Sequence, residues 1–245
     1  MKNRHILTAA VALSAALLLC SCRGGTAQTP AGTTPSEPAP TATSGSPALT
    51  ITAAAYEEGN IRLRYPQTAG LSDEAKQTAL NKLIQNDVWK YTVGPDIDAY
   101  SRETITYNLD YKVTLQTENL LSVLYTGSVS IEGGMHPSNV IYAATFDLQR
   151  GEKLSLSDFV TVDAAFADRV QKADSITACD GTKADDIPPL VRSLPVDEMI
   201  RGFTDGLGTD YYTFHLAPDA LIVSVPVVHA AGDYALITLP GDYHR

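Results

Sequence analysis

The chain has 245 residues, a formal net charge of −10 and three cysteines. That charge makes a polyanionic nucleic acid or an anionic lipid surface a poor partner, and it favours a basic protein or peptide. Lys2 and Arg4 both lie in the first few residues, so the remainder is more acidic still.

Residues 1–21 read as a signal peptide that takes no part in the fold. Lys2, Arg4 and His5 form a basic start, and Ile6–Leu19 is an Ala/Leu-rich apolar run too short for a lasting transmembrane helix. The run ends in Leu19-Cys20-Ser21-Cys22. This resembles a bacterial lipobox, with Cys22 as the acylated first residue of the mature chain. Ser21 supplies the small residue needed just before the cut, whereas cleavage before Cys20 would place Leu19 there. An ordinary secretory signal without lipid is the alternative. The expected location is the extracytoplasmic face of a bacterial cell membrane, reached through the lipid alone.

Residues 22–47 continue as RGGTAQTPAGTTPSEPAPTATSGSP after Cys22. The stretch is nearly free of large apolar residues, so it cannot offset the entropy of folding. Extended near polyproline geometry, it would hold a domain roughly 75 Å from the membrane. A tether is the expected role, with a glycosylated Thr/Pro stalk as the alternative. Cys179 is then the only cysteine left for the folded part, which excludes an intrachain disulfide framework. It is expected to be a semi-buried helix residue, with no neighbouring His in sequence to activate it.

From Ala48 the patterning changes. Leu49–Thr52 and Ile61–Tyr65 alternate apolar and polar residues around Glu57-Glu58-Gly59-Asn60, which predicts a hairpin ended by Pro66. Ser72-Asp73-Glu74 predicts a helix start, and Leu80, Leu83, Ile84 and Val88 form an apolar stripe that runs to about Tyr91 before Gly94-Pro95. Ile105–Leu115 alternates strictly, the pattern resumes with Leu121, Val123, Tyr125, Val129 and Ile131, and Val140–Phe146 adds a third strand. Together they predict an antiparallel meander with one buried face. Ser157–Ala178 reads as helical, Cys179–Pro189 as a polar loop and Val196–Phe203 as a short helix. Tyr211–Leu216, Ala220–Val228 and Tyr234–Leu239 read as closing strands. The expected class is α+β, an antiparallel β-meander sheet with helices packed on one face.

In order, the elements are a long strand pair, a Gly-Gly-x-His loop, a strand, an Asp-Leu-x-x-Gly turn, a Leu-Ser-Asp-Phe helix start and closing strands with an Ala-Ala-Gly loop. The residues that carry this are Gly133, Gly134, His136, Asp147, Leu148, Gly151, Leu154, Leu156, Asp158 and Phe159, extended by Tyr212, Phe214, Leu221, Ala231 and Gly232. The pattern resembles the RsiV-like C-terminal domain family over residues 131–245. Residues 48–130 more loosely resemble the segment named after the peptidoglycan deacetylase PdaC. The resemblance implies one of three settings: the extracytoplasmic part of a lysozyme-sensing anti-sigma factor, an accessory region of a polysaccharide deacetylase, or a stand-alone lipoprotein. The third fits best, because no anti-sigma region is expected ahead of the signal and no H-x-x-x-H or paired-Asp metal pattern suggests a deacetylase. The run Pro226–Gly232 departs from the family in being short and aliphatic.

The residues themselves point to binding more than to catalysis. His136 lies near Glu132 and Asp147, but metal sites usually have three or four ligands, and His215, His229 and His244 are scattered among later elements. The expected role of the Gly133–Pro137 loop is a turn whose glycines adopt positive φ and whose imidazole bonds the backbone. No nucleophile elbow, phosphate loop, dinucleotide fingerprint or Cys-x-x-Cys occurs. Tyr107, Tyr111 and Tyr125 follow the core alternation, although some could serve as recognition anchors on an exposed face. The expectation is therefore a non-enzymatic envelope binding or sensing module with no metal or cofactor. Its candidate contacts are Gly134, His136, Tyr107 and Tyr125, and its ligand a lysozyme-like basic protein or peptidoglycan. An enzyme acting on wall glycans through His136, and an interaction protein serving a partner encoded nearby, are the alternatives.

Overall fold

The structure, a computed structural model, describes residues 49–92, 103–205 and 211–243. The expected signal peptide, Cys22, the tether, the Gly94-Pro95 stop and His244 lie outside the described residues. No described helix is long and apolar enough to cross a membrane.

Ten described strands form two sheets, and the class is α+β. The first sheet takes its strands in chain order: β1 (Thr50–Glu58), β2 (Ile61–Ala69), β3 (Ile105–Gln116), β4 (Leu120–Ile131), β5 (Ser138–Asp147) and β6 (Glu152–Leu154). All neighbours are antiparallel except β2 and β3, which run parallel over Ile61–Leu63 and Tyr107–Leu109. The exception follows from α1 (Glu74–Thr92), which returns the chain to the end of the sheet from which β2 started. The expected boundary at Ile131 falls on the last residue of β4, so the two expected parts share this sheet.

The second sheet has the order β7-β10-β9-β8, from β7 (Ser175–Ala178), β8 (Thr213–Ala217), β9 (Ala220–Pro226) and β10 (Tyr234–Pro240). The single expected sheet is thus divided. β6 closes the first sheet after three residues, and the helices α2 (Ala164–Gln171), α3 (Ile187–Arg192) and α4 (Val196–Asp205) separate it from the last three strands. The expected helix over Ser157–Ala178 is also shorter. It is a 3-10 turn at Leu156–Asp158, then α2 capped by the Asp163 carboxylate on the Phe166 N–H, then β7. Ile176 of β7 pairs with Ile237 of β10, so a four-residue alternation that is ambiguous in isolation is decided by its partner strand. Pro188 and Pro189 do not prevent α3 from starting at Ile187, because the first turn of a helix needs no N–H donors. Pro66 does not end β2. Beyond Leu63 the strand is paired only with β1, and an open edge tolerates a residue without an N–H.

One face of the first sheet is covered by α1, and the other is covered where β8 packs on it, while Arg62, Arg64, Asn108 and Asp110 of β2 and β3 stay exposed. On one side Leu80, Ile84 and Val88 of α1 pack on Ile61, Leu63, Tyr107, Leu109, Leu121, Val123, Tyr125 and Phe146. Asp73 caps that helix by accepting from the Lys76 N–H at 3.0 Å. Asp87 anchors its far end, accepting from the Tyr142 hydroxyl and pairing with Lys153 at 3.0 Å. The expected strict alternation of β3 breaks at Thr114, where Val113 faces Val123 but Leu115 faces Ser122. One extra residue inverts every later side chain. Leu115, with Leu120, therefore joins a second core built from Phe166, Val191, Met199, Leu216, Val223 and Ile237.

A buried polar seam joins the two sheets. The Ser122 and Thr145 hydroxyls lie 2.9 Å apart, and Ser122 Oγ accepts from the Leu216 N–H at 2.9 Å. Thr213 Oγ1 accepts from the Ala143 N–H at 3.1 Å. β8 is an edge strand, and β6 covers only Thr145–Asp147 of β5, so these hydroxyls satisfy backbone groups that no ladder reaches.

Candidate functional site

Two loops from different sheets meet at one end of the fold. The first, Glu132–Pro137, joins β4 to β5. Gly133 sits at φ 82° and the Gly134 N–H bonds Ile131 O at 2.9 Å, which turns the chain back tightly. A Cβ on Gly134 would meet the same carbonyl at 3.0 Å, so the second glycine is favoured by close approach and not by positive φ. The second loop, Val227–Asp233, joins β9 to β10 through a 3-10 turn at His229–Ala231. It closes with Gly232 at φ 100° and Asp233 at φ 73°.

Asp233 is the centre of the junction. It is buried, and it is the only described non-glycine residue with positive φ, a conformation that surrounding contacts must hold. Its Oδ1 lies 2.7 Å from Nδ1 of His229, and its Oδ2 accepts from the Asn139 N–H at 2.7 Å. Asn139 also donates from Nδ2 to Gly232 O at 3.3 Å, and its carbonyl accepts from the Tyr211 hydroxyl at 3.0 Å. One carboxylate therefore ties the second loop to the start of β5 while orienting an imidazole that remains 49% exposed. A carboxylate on Nδ1 places the proton of a neutral ring there and leaves the lone pair on Nε2.

His136 is exposed, and its ring centroid lies 6.3 Å from that of His229, with the planes 33° apart. The expected imidazole-to-backbone bond is not formed among the described residues; the glycine turn shapes the loop without it. Cys179 lies in the turn after β7, not in a helix, with Sγ 3.7 Å from Nδ2 of Asn139. Burial, aided by the nearby Asp180 carboxylate, pushes its thiol up, so it is not a ready nucleophile.

Beside His136 opens a cleft of about 540 Å³, lined by Asn60, Glu103, Thr104, Ser130, Glu132 and Gly134 among others. Of the candidate contacts, Gly134 and His136 share this wall, whereas Tyr107 and Tyr125 do not reach the surface. Tyr125 is 1% exposed and stacks on Tyr142 at 5.6 Å, and Tyr107 is buried in the same core. Neither presents a side chain to a docking partner, because both point to the face that α1 covers.

The His229–Asp233 pair escapes sequence reasoning. Its only trace is a His and an Asp four residues apart around a glycine, in a run that otherwise reads as a plain turn. The apolar content of the same end is also unforeseen. Four large apolar residues are exposed among those described, and three flank this junction: Met135 at 89%, Val228 at 58% and Ile131 at 42%.

No family model matches the chain. No curated protein matches it either. Among solved structures, it is similar to a DUF3298 family member from Bacteroides fragilis, with 14% identity, a TM-score of 0.48, and coverage of 80% of this chain and 91% of that one. It is also similar to a DUF3298 family protein from Pseudomonas aeruginosa, with 10% identity, a TM-score of 0.43, and coverage of 79% and 90%. DUF3298 is a domain of unknown function.

Proposed function

We propose that the folded part is a non-enzymatic binding module of the bacterial cell envelope, held by a lipid on Cys22 and displayed by the tether 22–47. Its working end is the junction of the Glu132–Pro137 and Val227–Asp233 loops. The observation that carries this is the grouping of Met135, Val228 and Ile131 around His136 and His229. Scattered exposed apolar side chains need no explanation, but a group of them on two loops pinned by a buried carboxylate suits an interface.

The net charge of −10 and the Glu103 and Glu132 carboxylates beside the patch favour a basic partner. The resemblance to the RsiV-like family makes a lysozyme-like protein the first to try, with peptidoglycan as the comparison. In a pull-down, the chain is expected to retain lysozyme, and Met135→Asp with Val228→Asp is expected to reduce retention at least about tenfold, a loss of about 1.4 kcal/mol, at unchanged circular dichroism. Retention of neither lysozyme nor peptidoglycan would sink this reading.

The oriented imidazole favours one second reading, an enzyme acting on wall glycans with His229 as general base. A carboxylate on Nδ1 is the arrangement by which such a base is held in the required tautomer. Release or modification of glycan fragments by the wild type, lost in His229→Ala and in His136→Ala, would establish it.

A further inference from the structure

We propose that His136 and His229 form a surface site for a late first-row divalent metal ion of the Zn²⁺ and Cu²⁺ class, held by one imidazole from each loop. The site is independent of the docking role and does not need it to be correct. Three features of the junction converge on it.

The first is the carboxylate behind the His229 ring. Ligating histidines characteristically donate their other ring N–H to a carboxylate, which fixes the ring's orientation and tautomer. Asp233 does this to His229 at 2.7 Å and is itself held by the Asn139 N–H at 2.7 Å. The second is the partner ring. With metal–nitrogen bonds of about 2.1 Å, two imidazoles on one ion at tetrahedral angles hold their centroids about 5 Å apart. The observed 6.3 Å needs only a small swing of the His136 side chain, which is exposed and makes no hydrogen bond among the described residues. The third is strain. Asp233 keeps φ at 73° although it is not a glycine, and it is held there by the contacts that aim the imidazole outward. A residue needed only to close the turn could be a glycine, as its neighbour Gly232 is.

No three potential ligands converge among the described residues. The remaining positions on the ion are therefore left to water or to a group brought by a bound molecule. Imidazole nitrogen selects Cu²⁺, Ni²⁺ and Zn²⁺ over Mg²⁺ and Ca²⁺, and affinity should peak at Cu²⁺.

The test is titration of the full chain, purified without a histidine tag, with Cu²⁺ and Zn²⁺ by calorimetry, together with electron paramagnetic resonance of the Cu²⁺ form. The expected result is one equivalent bound, a spectrum with two imidazole nitrogens, and no response to Mg²⁺. His136→Ala and His229→Ala each weaken binding at least tenfold, and the double variant is little worse than either, because one ring alone cannot chelate. Asp233→Asn is expected to weaken binding by about 10- to 100-fold while both rings remain; circular dichroism checks that it folds. Because His136→Ala alters an exposed loop side chain, it keeps the test decisive if the Asp233 variant misfolds. The proposal is overturned if no saturable binding occurs, if both single histidine variants keep wild-type affinity, or if His244→Ala alone abolishes binding.

Discussion

At the scale of single residues, burial decides chemistry that residue type leaves open. His215 and His229 are the same residue on neighbouring stretches, yet one is a core side chain and the other a surface ligand candidate. Burial, reinforced by Lys112, lowers His215 from an ordinary 6.5 to about 4. Between those values the unfolded chain binds a proton that the folded chain refuses. The stability is therefore complete above pH 6.5 and is lost as the pH falls towards 4, by on the order of 3 kcal/mol at most. Denaturant unfolding across that range should show the decline, and His215→Leu should flatten it. Tyr125 gives the converse case. Its hydroxyl is buried with no hydrogen-bond partner among the described residues, so it contributes a desolvation cost and little else. Tyr125→Phe is expected to leave the melting point unchanged or to raise stability by up to about 1 kcal/mol. A loss larger than that would mean an undetected partner for the hydroxyl.

At the scale of elements, the sequence pattern is read correctly wherever one strand or helix answers to one core. β4, β5 and α1 form where alternation and the 3.6-residue stripe place them. β3 departs because a bulge at Thr114 turns Leu115 to the other face, and nothing in a run of alternating residues marks a bulge. Gly127, in the middle of β4, reads as a weak point in a strand but is required by contact. A Cβ there would lie 1.8 Å from the Asn108 carbonyl oxygen of β3. Gly127→Ala must push β3 and β4 apart, and it is expected to destabilise the protein by at least about 3 kcal/mol in urea unfolding, the upper end of overpacking costs. An effect near zero would show that the strand pair can yield there. The turn after β5 behaves as its residues suggest. Partial burial would raise the Asp147 carboxyl, but the Arg150 N–H at 2.7 Å, the Arg150 side chain at 2.8 Å and the Gln149 N–H at 2.8 Å together outweigh it and hold the group below its ordinary range.

At the scale of the whole molecule, the two sheets hold together through a few buried hydroxyls set among apolar side chains. Ser122 is fully buried, and it carries both the Thr145 contact and the Leu216 N–H of β8. Ser122→Ala would orphan that N–H and is expected to cost about 1–3 kcal/mol. Because β8 belongs to one sheet and Ser122 to the other, thermal melts followed at both sheets should shift together. A shift confined to one sheet would show that the seam does not couple them. The same long-range closure makes the candidate site: Asn139 and Asp233 are 94 residues apart in sequence and 2.7 Å apart in space.

The sequence by itself determined the α+β class, the meander β3–β4–β5, the helix over Glu74–Thr92 and the glycine turn that presents His136. Each depends on a local cause: side-chain period, a capping carboxylate, or a backbone angle that glycine adopts at low cost. The tertiary structure alone decided that the closing strands form a second sheet, that Leu115 turns to the second core, and that His229 stands opposite His136 on a carboxylate anchor. Those outcomes depend on which strand finds which edge and which face a bulge inverts. They are settled by contacts between residues far apart in the chain, for which composition and periodicity carry no signal.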